Sequence, residues 1–304
     1  MALYDQITII GLGLIGSSLA LGIKEKSLTN KLIGFDNNPD YQSAISDLKM
    51  VDELSDNLAA SVEGADLIIL ATPVGTYSDI GAVIKDHLKI GATVTDVGSV
   101  KASVVEMLSP HMPEGVHLIP AHPVAGTEQS GPEAGFASLF HDRWAIITPP
   151  SGANEDAVQR IKELWRGLGS NIEIMEPHHH DKVLAITSHI PHLIAYNIVG
   201  TARDLEDVTK SEVIKFSAGG FRDFTRIAAS DPTMWRDVFL HNKDAVLEML
   251  GRFSEDLTAL QRAIRWGDGD QLYDIFEKTR RIRRQIIDAG QDEDVADFGR
   301  HHED

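Results

Sequence analysis

The chain contains no cysteine. That excludes disulfides and thiolate metal sites, and it leads us to expect a reducing, cytoplasmic setting. Basic residues are few: 28 lysines and arginines face 46 aspartates and glutamates, a formal charge of −18. So acidic a chain is poorly suited to nucleic acid or to an anionic membrane, and neither is expected as a partner. A small anionic substrate is still admissible. Charges are screened over about 8 Å at physiological salt, so a few well-placed cations outweigh the distant net charge. No apolar run reads as long enough to span a bilayer, and no charged-then-apolar leader follows Met1. There is no internal repeat. What remains is a chain of 304 residues with ordinary apolar content, enough for one large domain or two smaller ones.

A short apolar run, Gln6 to Ile10, leads into Gly11-Leu12-Gly13-Leu14-Ile15-Gly16 and then an alanine- and leucine-rich helix to about Lys26. In such a pattern the first glycine permits a tight turn. The second lets the backbone approach a pyrophosphate, and the third lets helix and strand pack closely. The helix start offers free N–H groups and a positive dipole end to phosphates. A second strand, Lys31 to Phe35, ends in Asp36, twenty residues beyond Gly16, where a carboxylate accepts from a ribose 2′-hydroxyl. Asn37, Asn38 and Pro39 follow, with no Arg or Lys to neutralise a 2′-phosphate. The expected cofactor is therefore NAD rather than NADP.

Further strand patterns run over Ala65 to Thr72, Thr93 to Val97, Val116 to Ile119, Arg143 to Thr148 and Asn171 to Met175. Helical stretches alternate with them, so the expected class is α/β, with an N-terminal doubly wound Rossmann-type domain. After Met175 only helices are read. The expected division is a dinucleotide-binding domain over 1–176, a helical substrate and dimerisation domain over 177–290, and a disordered acidic tail over 291–304. Thr72 and Pro73, Ser99 and His122 are all expected at C-terminal strand ends, where open α/β sheets bind ligands.

His122 is the candidate proton acceptor, because imidazole titrates near neutrality. Ser99 can fix its tautomer, or can cap a helix. The triplet His178-His179-His180 lacks the spacing of a zinc or iron site, so no metal is expected; with Asp181 it reads as a polar helix start. In Ser188-His189-Ile190-Pro191-His192 the two histidines share a helix face and Pro191 kinks it. They read either as a ligand-facing wall or as a buried, hydrogen-bonded pair. After Gly219-Gly220, Asp223 and Arg226 stand three apart. Arg226 is a bidentate fork for a carboxylate, or an exposed partner of Asp223. Trp235 opens a helix expected to run to about Leu250, with two more over Asp256–Trp266 and Gln271–Ala289.

Together and in this order, Gly11 to Gly16, Asp96-Val97-Gly98-Ser99, His122 to Thr127, Ser188 to His192 and Gly219 to Arg226 resemble the prephenate and arogenate (cyclohexadienyl) dehydrogenases of tyrosine biosynthesis. The resemblance implies NAD-dependent oxidative decarboxylation of a cyclohexadienol that carries a ring carboxylate. It implies that His122 takes the hydroxyl proton, that Ser99 orients it and that Arg226 holds a carboxylate. Ser188, His189, His192, Thr127, Glu128, Asp223 and Trp235 match positions that line or gate the site. A homodimer through the helical domains is also implied. Two rivals remain: a β-hydroxyacid dehydrogenase, which would use a lysine, and an NAD-binding sensor without catalysis. The residues do not separate prephenate from arogenate.

Overall fold

The computed structural model describes residues 2–209, 215 and 219–288. Phe216, Ser217 and Ala218, and the expected tail 291–304, lie outside the described residues. From the N-terminus run β1 (Tyr4–Ile10), α1 (Leu14–Glu25), β2 (Thr29–Phe35), α2 (Pro39–Leu48), β3 (Glu53–Ser55), α3 (Leu58–Ser61) and β4 (Leu67–Leu70). Then come α4 (Tyr77–Ile84), β5 (Thr93–Asp96), α5 (Ala102–Leu108) and β6 (His117–Leu118). The strands form one parallel sheet in the order β3-β2-β1-β4-β5-β6. This is the Rossmann arrangement, whose chain reversal lies between β1 and β4.

The sequence dictates this because its central strands are apolar on both sides. In β4, Leu67 and Ile69 enter one core and Ile68 and Leu70 the other. Successive side chains of a strand point to opposite faces, so a continuous apolar run needs helices on both. Each such buried side chain stabilises the fold by about 1.5–3 kcal/mol.

A second sheet holds β7 (Ala121–Pro123), β8 (Trp144–Ile147) and β9 (Asn171–Ile174), with α6 (Glu155–Gly167) between the last two. β7 is antiparallel to β8, and His122 pairs with Ile146. This corrects the expectation that His122 ends a strand of the main sheet. Pro120 has no N–H to continue the ladder. The chain leaves the main sheet there and enters the small one.

The helical part comprises α7 (Pro177–Leu184), a π-helical turn (Ala185–His189), α8 (Ile190–Thr209), α9 (Gly219–Thr225), α10 (Pro232–His241), α11 (Lys243–Trp266) and α12 (Gly269–Asp288). Pro191 cannot donate to the carbonyl of Thr187, and the helix widens into the π turn just before it. The helix expected to run through to Leu250 instead breaks at Asn242 (φ −114°, ψ 32°), and α11 continues unbroken to Trp266. The helical run Pro177–Asp204 spans 28 residues and contains an 18-residue window of mean hydropathy 1.3, long and apolar enough by length and composition to cross a bilayer. That corrects the sequence expectation, although His180, Asp181 and His189 on this run are buried with polar partners.

The chain forms two compact units, Met1–Leu247 and Glu248–Asp304. The first extends well past Glu176-Pro177. Asp181 of α7 bonds the backbone of Lys101 and Ala102, and Asp237 of α10 accepts the N–H of Gly75, which ties these helices to the parallel sheet.

Candidate active site

The glycine turn after β1 is shaped by exclusion. Gly11 has φ +91°, and a Cβ there would lie 2.7 Å from the Thr72 methyl. A Cβ on Gly16 would fall 1.9 Å from the Gly11 carbonyl oxygen, so α1 packs against the turn only because both are glycine. Gly13, by contrast, faces open space. It is the N-cap of α1, has no side chain to cap with, and no acidic residue stands in the first turn. The early N–H groups around Leu14 and Ile15 are thus open to an anion.

Asp36 sits beneath this turn. Its Oδ2 accepts the Leu12 N–H at 2.7 Å and its Oδ1 the Asn38 N–H at 2.9 Å. The carboxylate therefore shapes the loop, and each oxygen retains a further lone pair for a hydroxyl. Leu12 is wholly buried and its N–H is already engaged, so the turn presents phosphates with the groups beyond it. Thr72 shares a hydrogen bond with Thr76 at 2.8 Å, and Pro73 is exposed beside it.

His122 is 6% exposed. Its Nδ1 lies 2.9 Å from Nε2 of His180, with the rings edge to face. Nδ1 of His180 lies 2.8 Å from Oδ1 of Asp181. This corrects two expectations at once. Among the described residues no hydrogen bond joins Ser99 to His122, and the Nδ1 position is taken by His180. Nor does Ser99 cap α5: the Asp181 carboxylate caps it, reached across 80 residues of sequence. The Ser99 backbone lies against His189 instead.

Beneath the imidazole, Lys101 and Asp96 form a fully buried ion pair at 2.5 Å. Nζ of Lys101 also donates to the Ala121 carbonyl at 2.7 Å, and so holds the backbone immediately before His122. Burial drives Asp96 up and Lys101 down from their ordinary values, against their mutual attraction. Burial also holds His122 well below the usual imidazole range, and the neighbouring His180, Lys101 and His189 add to the effect. His122 is therefore neutral near pH 7, with a lone pair to accept a proton.

A wall of rings stands nearby. His192 stacks on Trp235 at 3.7 Å and bonds the Ser188 carbonyl at 2.8 Å through Nδ1. His189 lies edge to face with Trp235. The Asn242 amide nitrogen donates to the Asp181 carbonyl, which fixes the flip of the amide and makes Nδ1 of His189, 3.0 Å away, the acceptor. Burial pushes His189 down to about 4. His189 is thus buried and hydrogen-bonded, and His192 is half-buried against the indole.

Arg226 follows α9 on a short 3-10 turn and forms an ion pair with Glu128. Its partner is thus the loop after His122, whereas Asp223 pairs with Arg222 at 3.5 Å. Thr127 accepts the Gln129 N–H in the same loop. The Arg226 side chain is 64% exposed.

Sequence reading missed His180, Asp181, Lys101 and Asn242. The available signal was helix periodicity: successive residues point in different directions, so three consecutive histidines cannot all face the core. The structure turns His180 in and leaves His178 and His179 exposed.

Two family models match the chain: "Prephenate dehydrogenase, nucleotide-binding domain" over residues 19–174 and "Prephenate dehydrogenase, dimerization domain" over 176–278. The cyclohexadienyl dehydrogenase of Zymomonas mobilis is 38% identical over 93% of this chain and 96% of its own. The prephenate dehydrogenase of Bacillus subtilis is 34% identical over 92% of this chain and 75% of its own. The crystal structure of Aquifex aeolicus prephenate dehydrogenase with hydroxyphenyl propionate and NAD+ superposes with a TM-score of 0.86, at 33% identity, over 93% of this chain and 98% of that one.

Proposed function

The chain belongs to the prephenate dehydrogenase family, and from that premise we propose that it oxidatively decarboxylates prephenate, arogenate or both, with NAD, in tyrosine biosynthesis. The observation that carries this reading is His122: a buried neutral imidazole whose Nδ1 is engaged by His180 and whose Nε2 has no partner among the described residues.

The residues fit NAD. The open face of Gly13, the uncapped start of α1 and the remaining lone pairs of Asp36 offer a pyrophosphate and a ribose what each needs. When bound, NAD supplies the hydride acceptor. The protein's part is to bind, orient and move one proton. Nε2 of His122 takes the proton from the ring hydroxyl as hydride leaves the same carbon. Loss of carbon dioxide then sends the bonding electrons into the ring, and the ring oxygen recovers its proton from Nε2. Arg226 holds a substrate carboxylate bidentately, and Glu128 occupies the guanidinium until it arrives. Ser188, His189, His192, Trp235, Thr127 and Asp223 surround the substrate, and Thr72, Pro73 and Ser99 flank the nicotinamide side.

The reading extends to a homodimer through the helical part. Leu257, Ile264, Trp266, Tyr273 and Phe276 on α11 and α12 are each more than half exposed, an apolar face of the kind that pairs with a second copy. The test of function is direct. The purified protein with NAD is given prephenate and arogenate in parallel, and reduced cofactor and released carbon dioxide are followed. Equimolar formation of both with either substrate is expected; no reduction with either would overturn the reading.

A further inference from the structure

The bonds that converge on His122 fix its protonation as well as its place. They begin at Asp181. Its Oδ1 accepts the N–H of Lys101 at 2.8 Å and its Oδ2 that of Ala102 at 2.9 Å. Backbone N–H groups only donate, so both oxygens act as acceptors. The third bond, at 2.8 Å to Nδ1 of His180, then requires Nδ1 to carry a proton. A neutral imidazole protonated at Nδ1 keeps its lone pair on Nε2. That Nε2 lies 2.9 Å from Nδ1 of His122, which must be the donor. His122 is left with its lone pair on Nε2, which has no partner among the described residues. The assignment follows from the bonding network, read from its fixed end.

Charge agrees with geometry. Burial raises Asp181, but its bonds from His180 and from the two N–H groups outweigh this and hold the carboxyl below its usual range. Burial lowers His180, which keeps it neutral near pH 7, as the chain of bonds requires. The other titratable groups facing His122 are Lys101 with its partner Asp96, from β5 and the start of α5, and His189 from the π turn.

We propose that His180 and Asp181 are positioning residues that lock His122 in the Nδ1–H tautomer, so that Nε2 is the atom that takes the substrate's hydroxyl proton. The proposal rests on reading His122 as the base. When Nε2 takes that proton the ring becomes an imidazolium, and its Nδ1–H bond to His180 becomes charge-assisted. Asp181, one ring further away, faces that charge through His180. The proton returns to the ring oxygen as carbon dioxide departs, so no proton is gained or lost over the cycle.

The test compares His180→Phe, which fills the space without accepting a bond, with His180→Gln, whose amide can accept from His122 and donate to Asp181. The expected result is a kcat about 10²-fold lower in His180→Phe, KM and NAD binding little changed, and recovery of most of the kcat in His180→Gln. Nitrogen-15 spectra of the wild-type enzyme supply a second readout that needs no variant. His122 should show a protonated Nδ1 and an unprotonated Nε2. A proton found on Nε2, or a folded His180→Phe enzyme with full kcat, overturns the proposal. Failure of the base reading is distinguished by His122→Asn: full turnover in that variant sinks the base assignment itself, whereas loss there with full kcat in His180→Phe sinks only the tautomer lock.

Discussion

Arg226 and Glu128 form an ion pair that joins the turn after α9 to the loop following His122. The arginine side chain is largely exposed, so this pair by itself contributes little to stability. Its consequence is for binding, because a substrate carboxylate and Glu128 compete for one fork. Arg226→Ala should raise KM roughly 5- to 30-fold, about 1–2 kcal/mol, with a smaller change in kcat. Glu128→Gln should move KM the other way. Steady-state kinetics on both variants checks this, and an unchanged KM in Arg226→Ala would leave the arginine a purely structural role.

His122→Asn keeps a polar side chain of similar reach but has no basic nitrogen. Turnover should fall by about 10²–10⁴-fold while NAD affinity stays near wild type. Single-turnover rates and a separate cofactor titration measure the two effects independently.

Asp36 has two functions, since its oxygens hold the Leu12 and Asn38 N–H groups. Asp36→Ser should weaken NAD binding and raise the ratio of NADP to NAD turnover about tenfold, as the carboxylate no longer repels a 2′-phosphate. It should also cost about 1–3 kcal/mol of stability from the orphaned donors. Wild-type turnover equal with both cofactors would contradict the NAD preference.

Acid should destabilise the fold through its buried neutral rings. Burial holds His122, His180, His189 and His192 below the ordinary imidazole value of 6.5, His189 at about 4. The unfolded chain takes up protons near 6.5 while the folded protein refuses them, so the unfolded state binds more protons in that window. Stability is therefore full above about 6.5 and falls as pH drops toward 4. Asp181, held low, adds a loss of the same sign further down, from the usual carboxylate range downward. Urea midpoints between pH 7.5 and pH 5 should decline, and a flat profile would refute the burial of neutral rings.

Lys101 and Asp96 are both wholly inaccessible to water. Lys101→Met removes one charge and strands the other, which should cost about 3–5 kcal/mol. Joint replacement with apolar residues should cost less than the single change. Thermal melts of the single and double variants decide it.

How far the chain can be read without coordinates depends on the range of the interactions. Ile7, Ile9 and Leu67 to Leu70 announce buried parallel strands by apolar continuity. Gly11 and Gly16 announce the turn, because only a missing Cβ fits there. Those are local constraints, and they also mark His122 and Arg226 as groups with chemistry to offer. The amino-acid order by itself therefore determined the main sheet and the cofactor loop, and it put His122 and Arg226 forward as candidates. It did not determine who touches whom. That His180 rather than Ser99 meets His122, that Asp181 rather than a nearby residue caps α5, and that Glu128 rather than Asp223 meets Arg226 were decided by how α7 and the turn after α9 pack within the first unit. Each of those contacts spans tens of residues, and a hydrogen bond over such a distance is set by where whole elements come to rest, not by any spacing along the chain.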